Sequence, residues 1–203
     1  MSETTRSPRL SERFQEALGY AARLHNTQTR KASEVPYIGH LLSVAGLVIE
    51  ADGTETEAIA ALLHDAAEDQ GGEATLAEIE ERFGADVAAI VEECSDTVVT
   101  PKPPWRQRKE NYINHLHAAS DSTIRVSMAD KLDNARAILR DLRREGPRVW
   151  QRFNTTDPQD HLWYYQSLLE VYRQRGDSWL VDELARVIRA LGEEIGPPVA
   201  ATV

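Results

Sequence analysis

The sequence contains a single cysteine, Cys94, among its 203 residues. One cysteine cannot form an intramolecular disulfide bond, and we therefore expect a protein of the reducing cytoplasm. Long apolar segments are also missing: no run approaches the about 18 apolar residues that a membrane span requires. The opening residues MSETTRSPRL lack the apolar core of a secretory signal, so neither export nor membrane insertion is expected.

Positive charge is scarce relative to negative charge. The chain has 23 lysines and arginines against 33 aspartates and glutamates, which gives a net charge of -10 at pH 7. Such a surface repels nucleic-acid backbones, so a DNA- or RNA-binding module is not expected. A small phosphorylated ligand is compatible with this charge only where basic groups and a metal ion offset the negative field.

Apolar residues recur at helical spacing, and no segment alternates apolar and polar residues as a half-buried strand does. We therefore predict an all-α protein, a single globular bundle of about nine helices. The predicted helices cover 10–25, 37–51, 55–69, 75–83, 85–95, 105–118, 122–145, 158–175 and 179–195. The predicted domain covers 10–195, between a disordered N-terminal tail at 1–9 and a C-terminal tail at 196–203. Thr75 and Glu78 have the spacing of a capping box for the helix at 75–83.

An unusual cluster of ionisable residues follows the apolar run AIAALL at 58–63, which predicts a helix buried on most sides. The chain continues as HDAAED at 64–69, and burying such groups costs free energy unless something compensates them. On one continuous helix, Glu68 lies a turn after His64, and Asp69 a turn after Asp65. Three acids beside an imidazole indicate a cation site.

Two more residues extend this cluster. His40 lies in the apolar segment YIGHLLSVAGLVI, and Asp130 lies in IRVSMADKL. Taken singly, His40 could be an ordinary core histidine and Asp130 a buried cap or ion-pair partner. The pair His64-Asp65 could simply end a helix that reaches solvent. In the order H…HD…D, the four residues together indicate a metal site instead.

These segments carry a family resemblance. LLHDAAED, preceded by RKASEVPYIGH and followed by MADKLDNAR, resembles the HD hydrolase domain of RelA/SpoT enzymes over roughly residues 12–175. In size, the chain is most similar to the small alarmone hydrolases, which include the metazoan SpoT homologue. The resemblance implies metal-dependent hydrolysis of the 3′-pyrophosphate of a small nucleotide, an alarmone of the (p)ppGpp or (p)ppApp type.

The resemblance also implies a metal site and a catalytic pair. One divalent ion, usually Mn2+, is bound by His40, His64, Asp65 and Asp130. Two imidazoles and two carboxylates suit such a cation, although ligand types alone leave zinc and iron open. The acidic pair that orients and deprotonates the attacking water corresponds to Glu68 and Asp69. A carboxylate is an effective base once the metal has lowered the pKa of the water.

Substrate contacts follow from the same resemblance. Arg30 and Lys31 match an RK pair that contacts the nucleotide, and a forked guanidinium beside a point cation is suited to phosphates. Asn134 matches a nucleotide-contacting asparagine, while Arg152 and Tyr164 are expected near the mouth of the pocket. Most of these residues also have a plainer interpretation. The RK pair could lie in a solvated loop, Asn134 could be a helix-surface amide, and the aromatic residues of WQRF at 150–153 and WYY at 163–165 could pack in the core.

The sequence departs from the family pattern at several positions. The loop after Arg30-Lys31 has Ala32-Ser33 and an extra residue before Pro36, Leu41 replaces a proline, and Asp133 replaces a histidine. None of these changes removes a metal ligand, but the altered loop leaves the choice between guanine and adenine alarmones open.

Two other functions remain open: an HD phosphohydrolase acting as a nucleotidase on nucleoside monophosphates, and a non-catalytic nucleotide-sensing HD module. The acidic pair after HD and the upstream RK favour the alarmone hydrolase. His115 and His117 point in different directions on a helix and cannot chelate one metal together. Their roles, those of Trp150 and His161, and the oligomeric state are left open.

Overall fold

A computed structural model describes residues 10–31, 33–95 and 103–197. Over these ranges the protein is all-α, as predicted, and its only β-type pairing is an isolated bridge between Thr29 and Pro36. The described α-helices are α1 (Glu12–Leu24), α2 (Ile38–Glu50), α3 (Glu55–Leu63), α4 (Ala66–Gln70), α5 (Glu73–Phe83), α6 (Ala85–Cys94), α7 (Trp105–Leu116), α8 (Asp121–Glu145), α9 (Pro158–Arg175) and α10 (Trp179–Ile195). A 3-10 helix (Gly146–Arg152) joins α8 to α9.

Several predicted features fall wholly or partly outside the described residues. They are the N-terminal tail at 1–9, most of the C-terminal tail at 196–203, the loop at 96–102 and Ala32. The predicted domain limits therefore stay a prediction. Within the described ranges, none of the helices is both long and apolar enough to cross a lipid bilayer.

Helix α3 lies at the centre of the core. It packs against α1, α2, α6 and α8, and every residue from Ala58 to Leu63 is fully buried. This confirms the prediction that AIAALL forms a helix buried on most sides. Since α2 and α8 also pack against each other, three segments distant in sequence meet beside the C-terminal end of α3.

The predicted helix at 55–69 is two helices in the structure. Helix α3 ends at Leu63, His64 and Asp65 form a turn, and α4 begins at Ala66. The ring of His64 donates from Nδ1 to the carbonyl oxygen of Ala61, 2.8 Å away. In an uninterrupted helix that carbonyl would accept from the backbone of Asp65. The imidazole thus satisfies the carbonyl where the helix is broken.

The predicted capping box at Thr75 and Glu78 is wrong. Helix α5 begins two residues earlier, at Glu73, and Thr75 is buried inside it. The chain reverses between α4 and α5 through Gly71 and Gly72, whose φ values of 155° and 61° are accessible to glycine. The structure has a capping box at another position, where Thr54 and Glu57 begin α3.

Candidate active site

The four predicted metal ligands meet where α2, α3 and α8 converge. His40 comes from α2, His64 and Asp65 from the turn after α3, and Asp130 from α8. One ligand atom from each of His40, His64 and Asp65 lies within 4.8 Å of the others. Oδ1 of Asp130 lies 3.2 Å from Nε2 of His40 and 3.5 Å from Nε2 of His64. Tertiary packing thus assembles the set that the sequence predicted.

Hydrogen bonds determine which nitrogen of each imidazole faces the cluster. Nδ1 of His64 bonds to the carbonyl oxygen of Ala61, which can only accept, so Nδ1 carries the proton. Nδ1 of His40 lies 2.6 Å from Oδ2 of Asp133, and an ionised carboxylate likewise only accepts. Both Nε2 atoms are buried and have no hydrogen-bond partner. In the neutral histidines, both therefore present lone pairs to the cluster.

The cluster fits a divalent cation. The two Nε2 lone pairs face oxygens of Asp65 and Asp130 at distances of 3.0 to 3.6 Å. Lone pairs at such distances repel one another unless a proton or a metal ion lies among them. Two imidazole nitrogens and two carboxylates form a donor set that manganese, zinc and iron all accept.

The pKa values of the clustered histidines and aspartates also indicate that the cluster attracts positive charge. Burial opposes protonation of His40, but Asp130, Asp133 and Asp65 outweigh it and raise the pKa of the imidazole to about 9. The pKa of His64 is also raised, because Asp65 and Asp130 outweigh its burial. Burial would raise the pKa of Asp130, yet Lys131 and the two histidines hold it well below its ordinary value.

Neighbouring side chains hold the two carboxylates in place. Tyr37 donates its hydroxyl hydrogen to Oδ2 of Asp65. The ammonium group of Lys131 pairs with Oδ2 of Asp130, and Asn134 donates to Oδ1 of the same carboxylate. These contacts leave few alternative orientations for either carboxylate, which pre-organises the site for a cation.

A cavity of about 320 Å³ opens on this cluster. Its lining combines carboxylates, cations and aromatic rings: Asp65, Glu68, Asp69, Asp130, Lys31, Arg108, Lys109, Lys131, Trp105, Phe153 and His161, together with Tyr37, Cys94, Asn134 and Asn154. A site of this composition can hold a metal ion, bind phosphate oxygens and pack against a planar ring.

Both residues of the predicted catalytic pair line this cavity. Glu68 and Asp69 lie in α4, within one turn of Asp65. Asp69 accepts a hydrogen bond of 2.8 Å from Nε2 of Gln28, which ties α4 to the loop after α1. The break after α3 directs this short acidic helix along the cavity wall.

The structure brings only part of the predicted substrate-binding set to the cavity. Lys31 and Asn134 line it. Arg30 instead donates to Oδ1 of Asn134 at 2.9 Å, and Arg152 bridges Asp141 and Glu145. Tyr164 is buried beneath Trp105 and Lys109. Arg30, Arg152 and Tyr164 are not among the described residues that line the cavity. Substrate contact by these three residues stays a prediction.

Sequence reasoning missed several cavity residues. The basic segment WRQRK at 105–109 contributes Trp105, Arg108 and Lys109, and its composition was a usable signal. Phe153 follows the 3-10 helix and His161 lies in the first turn of α9, and their ring centres are 4.8 Å apart. His161, whose role was left open, donates from Nε2 to the carbonyl oxygen of Thr155 at 2.7 Å. The aromatic residues of WQRF at 150–153 were expected near the mouth of the pocket, but no sequence signal indicated that His161 lines the cavity.

A family model described as HD domain matches residues 17–158. The chain belongs to the HD domain family. HD domains bind a divalent metal, and the His/Asp cluster of this HD domain has the donors to do so. The assignment confirms the fold class predicted from the residue pattern.

Several relatives of this HD domain are described as guanosine-3′,5′-bis(diphosphate) 3′-pyrophosphohydrolases. The chain is 42% identical to the protein of this description, MESH1, from Xenopus tropicalis over 138 residues, which are 66% of this chain and 72% of that protein. MESH1 of Mus musculus is 34% identical over 184 residues, covering 89% of this chain and 93% of the relative. An Aquifex aeolicus protein of the same description is 36% identical over 133 residues, 64% of this chain but 18% of its own length.

Two solved structures are similar to this chain in fold. A metazoan orthologue of SpoT that hydrolyses ppGpp superposes with a TM-score of 0.72 and 29% identity, covering 93% of this chain and 99% of that one. The protein lmo0812 from Listeria monocytogenes superposes with a TM-score of 0.66, also at 29% identity, and covers 76% of this chain. The HD domain described here is therefore similar in both sequence and fold to alarmone hydrolases.

Proposed function

We propose that this HD domain is a metal-dependent pyrophosphohydrolase that removes the 3′-pyrophosphate from alarmone nucleotides of the (p)ppGpp type. The observation that carries the proposal is that Nε2 of His40 and Nε2 of His64 have no hydrogen-bond partner and face carboxylates. The adjoining cavity is lined by an acidic pair and by several cationic side chains. The relatives described as guanosine-3′,5′-bis(diphosphate) 3′-pyrophosphohydrolases support this choice of substrate. Such a nucleotide substrate would be met in the cytoplasm.

The residues that would hold the metal are His40, His64, Asp65 and Asp130, and we propose Mn2+ as the ion. When bound, a divalent metal lowers the pKa of a water molecule and polarises a phosphoryl oxygen. The protein supplies the geometry: Ala61 and Asp133 aim the two imidazoles, while Tyr37, Lys131 and Asn134 restrain the carboxylates.

Glu68 is our candidate for the general base, with Asp69 as its partner. Both carboxylates line the cavity, within one turn of the ligand Asp65. Oδ2 of Asp69 already accepts a hydrogen bond from Gln28, which suits it to orient water or to hold α4 in place. Glu68 would accept the proton of the attacking water, because a carboxylate is a competent base for an activated water.

The cations of the cavity would bind the phosphates. Lys31, Arg108 and Lys109 line it, and they offset locally the net charge of -10, which otherwise repels an anionic substrate. Lys31 places its ammonium group 5.6 Å from the ring centre of Phe153, so a cation and an aromatic ring meet at one point of the wall. Phosphate and base could therefore be held side by side.

The aromatic residues would receive the nucleobase. Trp105 and His161 lie 5.6 Å apart between ring centres, and His161 also contacts Phe153 and Trp150. Stacking of a base on such rings contributes about 1–3 kcal/mol. The stacking faces do not distinguish guanine from adenine, so alarmones of the (p)ppApp type belong to the proposed substrate range.

A direct assay tests this proposal. Purified protein, freed of metal by chelation, is incubated with ppGpp or pppApp with and without added Mn2+, and released pyrophosphate is measured. We expect Mn2+-dependent pyrophosphate release from at least one of the two. Release of phosphate from a nucleoside monophosphate, with no pyrophosphate from either alarmone, would identify a nucleotidase instead. Binding of metal and alarmone without any turnover would identify a sensing module.

A further inference from the structure

His40 and His64 are held in the site by different kinds of acceptor. The Nδ1 proton of His64 is accepted by a backbone carbonyl, that of Ala61, which no side-chain substitution removes. The Nδ1 proton of His40 is accepted by a side chain, Asp133, at 2.6 Å. His40 is therefore the imidazole whose orientation depends on the identity of a neighbouring residue.

Asp133 is well placed to hold that ring. It lies three residues after Asp130 on α8, so both side chains project from the same face of the helix toward α2. The side chain of His40 is only 1% exposed, so bulk water cannot readily replace the carboxylate as its acceptor. Without an acceptor at Nδ1, the ring is free to rotate or to carry its proton on Nε2, and neither state presents a lone pair to a metal.

A second contact joins Asp133 to the loop between α1 and α2. The guanidinium of Arg30 lies 3.9 Å from Oδ2 of Asp133 and donates to Asn134, which in turn donates to Asp130. The backbone of Arg30 is itself fixed, because its N–H bonds to the carbonyl oxygen of Val35 at 2.8 Å. The same arginine thus steadies the partners of two predicted metal ligands.

We propose that Asp133 is a positioning residue of the metal centre: it holds His40 with Nε2 directed at the metal. Arg30 supports it by offsetting the negative charge of Asp133 beside a cluster that is already acidic. A carboxylate behind a metal-binding imidazole orients the ring and increases its basicity, and loss of such a partner typically weakens metal binding by about 10- to 100-fold. This inference rests on the metal-binding part of the proposed function and does not depend on the substrate.

The test measures metal binding without nucleotide. Asp133→Leu removes the acceptor at similar volume, and Asp133→Asn keeps one acceptor oxygen but removes the charge. Isothermal titration of chelated protein with Mn2+ should give a dissociation constant about 10- to 100-fold higher for Asp133→Leu. For Asp133→Asn we expect a smaller rise, about fivefold, because a neutral acceptor still orients the ring.

Asp141→Asn is the matched control. Asp141 lies on the same helix and is ion-paired to Arg152, and its side chain is 20% exposed against 21% for Asp133. Its Mn2+ affinity should stay within twofold of the unsubstituted protein. The helical circular dichroism signal of each metal-free variant should be unchanged, which separates loss of orientation from loss of fold.

The proposal is overturned if folded Asp133→Leu binds Mn2+ within twofold of the unsubstituted protein. If Asp133→Leu does not fold, Asp133→Asn decides: an affinity within twofold of the unsubstituted protein overturns the proposal, and a loss of several-fold supports it. Failure of the substrate proposal gives a different result, since the protein would then bind Mn2+ in this Asp133-dependent way and release no pyrophosphate from either alarmone.

Discussion

Nε2 of His40 lies 3.2 Å from Oδ1 of Asp130, and in the neutral imidazole no hydrogen is available to join them. The proton of the ring is on Nδ1, where Asp133 accepts it. The close approach of a nitrogen lone pair to a carboxylate oxygen is stable only when a positive charge lies between them. That charge is a second proton in the metal-free protein or a divalent cation in the metal-bound protein, and the two compete for the same place.

Removing a direct ligand should abolish metal binding. We expect Asp65→Ala to weaken Mn2+ binding by more than about 100-fold, since losing a ligand must cost more than losing an outer partner of one. Turnover should disappear while the helical content is retained. Asp86→Ala, an exposed acid at the start of α6, is the control and should bind Mn2+ normally. Full hydrolytic activity in Asp65→Ala would refute the metal assignment.

The stability of the metal-free protein should fall as the pH rises. His40 has a pKa of about 9 in the folded protein against 6.5 in the unfolded chain. A raised pKa contributes stability that is complete below about pH 6.5 and is lost as the pH rises through about 9. Added Mn2+ should therefore raise the melting temperature more at pH 9 than at pH 6.5.

Thermal unfolding in chelator and in Mn2+ at pH 6.5, 7.5 and 9 checks this prediction. His40→Gln should show a smaller fall across the same range. Burial lowers the pKa of His161, so its effect on stability lies below pH 6.5 and does not interfere. A metal-free melting temperature that rises between pH 6.5 and 9 would contradict the proposed competition between proton and metal.

Substitution of the proposed base should separate catalysis from metal binding. Glu68→Gln keeps the shape of the side chain but cannot accept a proton at neutral pH. We expect kcat to fall by about 100- to 10,000-fold while the Mn2+ affinity changes little. Single-turnover kinetics with titration calorimetry measures both quantities. A loss below about tenfold would exclude Glu68 as the base and make Asp69 the next candidate.

The aromatic wall should contribute to binding rather than to the chemical step. Phe153→Ala removes a ring that contacts His161 and Lys31, and KM for the alarmone should rise about 5- to 100-fold with kcat nearly unchanged. Trp179→Ala is the control, because Trp179 is 41% exposed on α10 and does not line the described cavity. A fall in kcat at constant KM would instead show that Phe153 stabilises the transition state.

Local sequence patterns determined much of this protein. The periodicity of apolar residues predicted the all-α fold, and the continuous run at 58–63 predicted a helix buried on most sides, which the structure shows to be fully buried. The four expected metal ligands, His40, His64, Asp65 and Asp130, were recognised from the order H…HD…D and from the resemblance to the HD hydrolase domain. Their convergence in the structure agrees with that reasoning.

Tertiary structure alone decided how those residues are used. Where α3 ends at Leu63, the ring of His64 donates to the carbonyl oxygen of Ala61, and this bond replaces a backbone bond of the helix. Asp133, the partner of His40, is 93 residues away in sequence. Arg152 is ion-paired with Asp141 and Glu145 and is not among the described residues that line the cavity. Periodicity reports which face of a helix is buried, but not which distant side chain it meets, because that depends on how whole helices pack against one another.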